Sequence, residues 1–271
     1  MANKITIIGG GNLGIAIAEG LINSKHSKAA DITVTRRNVT LLDSLKKKGV
    51  TVTGDNIKAV KTANVILLCV KPFQTKDVLK EIGKYLNSKQ ILISVVTGVS
   101  IEEINHTINK NQPDNWAGMP VFRAMPNTAI AIAESMTCIA YSNAESKQIK
   151  SVEDLFNTLG QSVVIEEKLM EAATIIGACG TAFAMRYIRA NIQGGIEIGF
   201  DANTARTIVA QTVKGAAELL IQKGTHPEQE IDKVTTPKGC TIAGLNEMEH
   251  NGLSSSLIKG ITESYKKIAK S

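Results

Sequence analysis

A short apolar run, Ile5-Thr6-Ile7-Ile8, passes without a break into Gly9-Gly10-Gly11-Asn12-Leu13-Gly14 and then into a helical pattern through Ile15, Ala18, Leu21 and Ile22. No other stretch narrows the choice of fold as much. Gly9, Gly11 and Gly14 meet the spacing G-x-G-x-x-G, with the required strand before it and the required helix after it. Gly9 is expected to allow the tight turn, Gly11 to let backbone approach a pyrophosphate, and Gly14 to let the helix pack onto the strand. The first helical turn, from Asn12 and Leu13, then offers free N–H groups and a partial positive charge to phosphate. A glycine-rich turn without a ligand is the competing reading, and the flanking strand and helix weigh against it.

The same alternation continues through the first hundred residues. Ile32–Thr35, Val50–Thr53, Val65–Val70 and Ile91–Val96 read as strands, separated by helical patterns around Leu41, Leu42 and Leu45 and over Val78–Tyr85. Continuous apolar strands exchanging with helices predict a Rossmann-type, doubly wound parallel sheet covered on both faces. A second style begins near Lys168: Ala172–Gln193, Ala202–Lys223, Thr241–Glu249 and a last segment from Leu253 to Ala269 are helical in pattern, with a Gly/Pro break over Gly224–Gly239. The expected division is therefore an N-terminal dinucleotide-binding domain over residues 1–166 and an all-helical domain over 167–271. Ala205, Ile208, Val209, Thr212, Val213, Ala216, Leu219 and Leu220 form one apolar face. For a domain of roughly a hundred residues, burial against a second copy of the chain would cover such faces, although a core shared with the first domain would also do so.

Charge and cysteine usage exclude several classes. The net charge is +6, but the lysines are dispersed, and Lys46-Lys47-Lys48 reads as a solvated helix end rather than a nucleic-acid stripe. Cys69, Cys138, Cys179 and Cys240 stand far apart, with no CxxC pair and no histidine at metal-ligand spacing, so neither a metal site nor a disulfide framework is expected. Cys69 reads as a buried free thiol. Met1-Ala2-Asn3-Lys4 runs directly into a strand, and no uncharged apolar run approaches the roughly 18 residues of a membrane helix. The expectation is a reducing, cytoplasmic compartment without membrane attachment.

The end of the second strand selects the dinucleotide. An acid there would hold the ribose 2′-OH of NAD. This chain has Thr33-Val34-Thr35-Arg36-Arg37-Asn38 instead. Guanidinium groups clamp a 2′-phosphate, and Thr35 is a candidate donor to it, so NADPH is favoured with NADH as the alternative. Two arginines after a strand also read as ordinary surface residues.

Further along, Val70-Lys71-Pro72, Asn56, Arg123-Ala124-Met125-Pro126-Asn127-Thr128, Gln193-Gly194-Gly195 and Ala210-Gln211-Thr212-Val213-Lys214-Gly215-Ala216 precede Val234-Thr235-Thr236-Pro237-Lys238-Gly239-Cys240-Thr241-Ile242-Ala243-Gly244-Leu245. Along nearly its whole length the sequence resembles the pyrroline-5-carboxylate reductases, whose signature V-T-S-P-G-G-T-T-I-A-G-L the last block approaches. Read by itself, that block is a turn shaped by Pro237 and Gly239 ahead of a helix. There the Thr236 and Thr241 hydroxyls and free N–H groups make either a carboxylate site or a plain cap on Thr241.

The resemblance implies hydride transfer from NADPH to the C=N carbon of 1-pyrroline-5-carboxylate, giving L-proline in the last step of proline biosynthesis. It implies Thr236, Gly239, Cys240 and Thr241 around the substrate carboxylate, with Thr241 also hydrogen-bonded to the ring nitrogen. Asn56 is implied at the cofactor ribose, Val70, Lys71 and Pro72 along the cofactor, and Gly98, Met125, Pro126 and Asn127 at the nicotinamide. A homodimer or higher homo-oligomer is implied as well. A carbonyl reductase of the hydroxyacid type is the competing enzyme, but it needs a proton donor where this chain has Ala184, and Arg186 and Arg189 stay protonated. His26, His106, His226 and His250 read as surface, loop or helix-end residues. Ala178-Cys179-Gly180-Thr181-Ala182 replaces the family's G-S-G-P-A, Val96-Thr97-Gly98 its A-A-G, Ala129 a proline, and Lys238 and Cys240 smaller or hydroxylated residues. These departures leave open a related cyclic imine as substrate, or a non-catalytic NADP-binding sensor.

Overall fold

A computed structural model describes residues 4–269; Met1, Ala2 and Asn3, read above as the lead-in to the first strand, lie outside them. The strands are β1 (Ile5–Ile8), β2 (Ile32–Thr35), β3 (Thr51–Thr53), β4 (Val65–Leu68), β5 (Ile91–Ser94), β6 (Val121–Met125), β7 (Ser135–Ser142) and β8 (Gly160–Val164). They form one sheet in the order β3-β2-β1-β4-β5-β6-β7-β8. Every neighbouring pair is parallel except β6–β7. β1, β4 and β5 are buried along their whole length, which is why they read as unbroken apolar runs.

The helices of this part are α1 (Asn12–Asn23), α2 (Asp43–Lys47), α3 (Asn56–Lys61), α4 (Pro72–Gly83), α5 (Ile101–Asn109) and α6 (Ser146–Asn157). Ile17 and Leu21 of α1, Leu45 of α2, and Val152 and Phe156 of α6 join Ile7 and Leu67 in one core. Val60 of α3, Leu79 and Ile82 of α4, and Ile104 of α5 join Ile8 and Leu68 in a second core on the opposite face. The sheet is thus doubly wound, and its strand order reverses between β1 and β4, where ligands bind in such folds. The expected continuations to Val70 and Val96 stop two residues short, at Leu68 and Ser94. α4 starts earlier than its apolar pattern, because Pro72 is pre-set for a first helical position.

Beyond the sheet come α7 (Met170–Ala173), a π-helical turn over Thr174–Cys179, α8 (Gly180–Glu197), α9 (Ala202–Lys223), α10 (Pro227–Lys233), α11 (Cys240–His250) and α12 (Leu253–Ile268). The single helix expected over Ala172–Gln193 is interrupted by the π turn, and the expected Gly/Pro break contains α10. The chain divides into two compact units, one reaching Cys179 and joined by Ile268, the other Gly180–Lys267. That division falls later than the expected 166/167 because Met170 packs with Met125 and Ala140, and Thr174 and Ile175 are buried. Among the described residues, no helix is long and apolar enough to cross a membrane.

Candidate active site

At the carboxyl end of β1 the three glycines differ in what surrounds them. Gly9 has φ +109°, and a Cβ there would collide with the Cys69 carbonyl oxygen. A Cβ on Gly14 would collide with the Gly9 carbonyl oxygen. On Gly11 it would meet open space, so only there does the missing side chain leave room for something other than protein. Gly11 is the N-cap of α1 and provides no side-chain cap. The N–H groups of the first turn therefore have no side-chain cap, the arrangement a pyrophosphate fits.

The loop hangs from the end of β2. The N–H groups of Gly9 and Gly10 both donate to the Thr35 carbonyl oxygen, at 3.1 and 2.8 Å. Arg36 Nη1 donates to the Gly10 carbonyl oxygen at 2.7 Å, whereas Arg37 is exposed and has no ion-pair partner among the described residues. Thr35 departs from its expected part. Its side chain is buried, and its hydroxyl donates to Asn56 Oδ1 at 2.6 Å rather than outward. Asn56 Nδ2 in turn donates to Glu81 Oε2 at 2.9 Å. Thr35 and Asn56 are thus adjacent, as the dinucleotide reading requires, but Thr35 holds the site's frame and its proton is already engaged.

The ends of β4, β5 and β6 present the remaining expected cofactor residues. Val70 and Lys71 follow β4, with Lys71 extended as the residue before a proline must be, and Pro72 opens α4. Gly98 has φ +73° in the exposed turn after β5, so its glycine serves backbone shape. Met125 ends β6, and Thr97 Oγ1 lies 3.8 Å from its sulfur. Pro126 is buried behind it. Asn127 caps the short turn after β6 by accepting the Ala129 N–H at 3.0 Å, and its Nδ2 donates to the Gly177 carbonyl oxygen at 3.2 Å. Asn127 therefore ties the end of β6 to the π turn, a helical irregularity frequent at functional sites.

Arg123, 3% exposed, lies on β6 beside this region. Its Nη1 pairs with Glu167 Oε1 at 3.1 Å and its Nη2 with Glu171 Oε1 at 3.2 Å, while Nε has no partner. Glu167 Oε1 also accepts the Ile101 N–H of α5 at 2.7 Å. Cys69, next to the Gly9 turn, is partly exposed as a residue, yet its thiol packs against the first core and burial pushes it up to about 12. It is a packing residue and no nucleophile.

In the helical unit, Gly239 rather than Thr241 is the N-cap of α11, and Thr241 is its second helical residue. The expected cap on Thr241 is corrected accordingly. The Gly239 N–H donates to the Thr236 carbonyl oxygen at 2.9 Å, and a Cβ on Gly239 would lie 2.5 Å from Thr236 Oγ1. Lys238, not Gly239, takes the left-handed conformation, with φ +61°. Thr235 donates its hydroxyl to the Ile231 carbonyl oxygen at 2.8 Å. The hydroxyls of Thr236 and Thr241 have no partner among the described residues, and Cys240 is exposed. Ala184, Arg186 and Arg189 are exposed on α8.

Sequence reasoning missed Glu81, the Arg123 pairs and the π turn. Glu81 gives no local signal, standing 25 residues from its partner Asn56. The arginine belonged to a recognised stretch, but its acidic partners lie 44 and 48 residues away.

Comparison with known proteins matches residues 167–271 to the family model described as pyrroline-5-carboxylate reductase dimerisation. Residues 4–98 match the model described as NADP oxidoreductase, coenzyme F420-dependent. The chain is 47% identical over 98% of its length to pyrroline-5-carboxylate reductase 1 of Dictyostelium discoideum, of which it spans 49%, about half. It is 43% identical over 99% of its length to pyrroline-5-carboxylate reductase 2 of the same organism, of which it spans 93%. A solved structure of Plasmodium falciparum pyrroline carboxylate reductase with NADP bound superposes with a TM-score of 0.84 at 26% identity, covering 98% of this chain and 97% of that one.

Proposed function

Because the chain belongs to the pyrroline-5-carboxylate reductase family, we propose that it reduces 1-pyrroline-5-carboxylate to L-proline with NADPH. Bound NADPH supplies the hydride, which adds to the carbon of the C=N bond while the ring nitrogen carries the proton. The protein's task is to orient and to hold charge. Gly11 and the first turn of α1 take the pyrophosphate, and Arg36 and Arg37 the 2′-phosphate. Gly98, Met125, Pro126 and Asn127 shape the nicotinamide pocket, with Asn56 near the ribose and Val70, Lys71 and Pro72 along the cofactor's edge. Thr236, Gly239, Cys240 and Thr241 receive the substrate carboxylate at the start of α11, and Thr241 is the residue we assign to the ring nitrogen. An iminium accepts hydride without an acid to charge an oxygen, so exposed Ala184 in place of a proton donor suits imine reduction better than carbonyl reduction.

The single observation that carries the loop assignment is the pair of threonine hydroxyls left without an internal partner at a helix start. The working division we propose keeps residues 1–166 for NADP and 167–271 for substrate and dimerisation, the latter supported by the extent of the family match. We also propose a homodimer joined through the helical part, where Ala205 is the sole buried residue among those described over Gly180–Lys267. The cytoplasm is the compartment we propose, in keeping with four unpaired cysteines.

The test is loss of NADPH absorbance with synthetic 1-pyrroline-5-carboxylate, with NADH alongside and Thr241→Ala beside the unaltered protein. A hydrogen bond to a charged group is worth about 1.5–3 kcal/mol, so Thr241→Ala is expected to lower kcat/KM roughly 10- to 100-fold and leave NADPH binding intact. Undiminished turnover in that variant moves the carboxylate elsewhere. No turnover by a protein that still binds NADPH sinks the proline reading.

A further inference from the structure

The strand end that selects the dinucleotide carries no acid in the sequence, and the fold supplies one from elsewhere. Glu81, in the last turn of α4, reaches Asn56, which reaches Thr35, the last residue of β2, through hydrogen bonds of 2.9 and 2.6 Å. Thr35 in turn holds the glycine loop through its carbonyl oxygen. Glu81 is exposed and has no ion-pair partner among the described residues, so the group its carboxylate holds is a neutral amide and no cation cancels its charge directly. Being able only to accept, that carboxylate also fixes which way the Asn56 amide points.

We infer that Glu81 is a specificity-determining residue of the dinucleotide site, opposing the 2′-phosphate that Arg36 and Arg37 attract and so limiting the preference for NADPH over NADH. The inference rests on the proposed NADP site. A ribose 2′-phosphate read at the end of β2 sits in a field with two positive charges, on Arg36 and Arg37, and one negative charge, on Glu81. The 2′-OH of NADH adds no charge for that field to act on. The free carboxylate therefore weakens one nucleotide and spares the other. Acting through solvent and screened by salt, one such charge is expected to change affinity by about three- to ten-fold.

Glu81→Gln isolates the charge, since its amide oxygen still accepts from Asn56. Equilibrium titration of the purified protein with each nucleotide, followed by nicotinamide fluorescence, gives both dissociation constants without reliance on turnover. The expected result is NADPH binding about three- to ten-fold tighter in Glu81→Gln, unchanged NADH binding, and a difference that shrinks as salt is raised. Glu81→Ala is expected to weaken both nucleotides, because Asn56 loses its anchor. If Glu81→Gln leaves the NADPH to NADH ratio within two-fold of the unaltered protein, or moves both constants together, Glu81 merely ties α4 to α3 and the inference falls. Failure of the unaltered protein to bind NADPH would instead overturn the underlying site, a result separable from either of these.

Discussion

Gly11 and Gly14 share a motif and answer to opposite demands. Gly14 is glycine because the Gly9 carbonyl oxygen occupies the place of a side chain, and Gly11 although nothing occupies it. The two substitutions to alanine should therefore separate. Gly11→Ala is expected to lower the thermal midpoint by no more than about 2–4 °C, since the change at a helix N-cap costs under roughly 1 kcal/mol, while NADPH affinity falls at least about ten-fold. Gly14→Ala forces α1 away from β1 and is expected to lower the midpoint before any cofactor is added. Equal losses of affinity at equal stability would mean that Gly11 has no special place at the pyrophosphate. The Gly9 turn and the close packing at Gly14 were legible in the sequence because motif, strand and helix are contiguous. The turn before α11 was less so: read as shaped by Pro237 and Gly239, it has its left-handed residue at Lys238. Gly239 is instead required by the closeness of Thr236.

Strands and helices show where hydrophobic pattern stops being informative. Val95 and Val96 remain buried beyond the last paired residue of β5, and the Val95 N–H still donates to the Leu68 carbonyl oxygen, so an apolar pattern overran the strand's end. The π turn was invisible for a related reason: one extra residue in a helical pattern shifts the stripe without removing it. What holds the segment before it is polar and non-local. Arg123 on β6 gathers Glu167 and Glu171, and Glu167 also takes the first N–H of α5. Arg123 is almost wholly buried and its two partners are about two-thirds covered, so removing the cation leaves carboxylates facing a vacated apolar slot. Arg123→Ala is expected to destabilise the protein by about 3 kcal/mol, lowering the thermal midpoint by roughly 6–12 °C. A shift under about 2 °C would show that the pairs contribute little beyond the apolar contacts of Met170.

Over the whole molecule the two compact units differ in how they meet the demand for burial. The first fills two cores on the two faces of its sheet. The second, Gly180–Lys267, has Ala205 as its lone buried residue among those described, packed against Gly195, while Ile198, Phe200, Ile208, Leu257 and Ile258 remain exposed. Ordering a residue costs about 1–2 kcal/mol of conformational entropy, and a helical unit that buries so little cannot offset that from within. The sequence already carried this imbalance in helices apolar on more than one side, and left open whether a second copy or a core shared with the first domain absorbs it. The match of residues 167–271 to a dimerisation model favours a second copy as the cover, in line with the proposed homodimer. Folding and association should then be linked, so the thermal midpoint is expected to rise with protein concentration. Ile258→Glu, placing a charge at a residue 60% exposed in the single chain, should convert the dimer to monomer in sedimentation and abolish that dependence. A monomer at micromolar concentration with a concentration-independent midpoint would mean that the helical unit is stable by itself and that the burial argument is wrong.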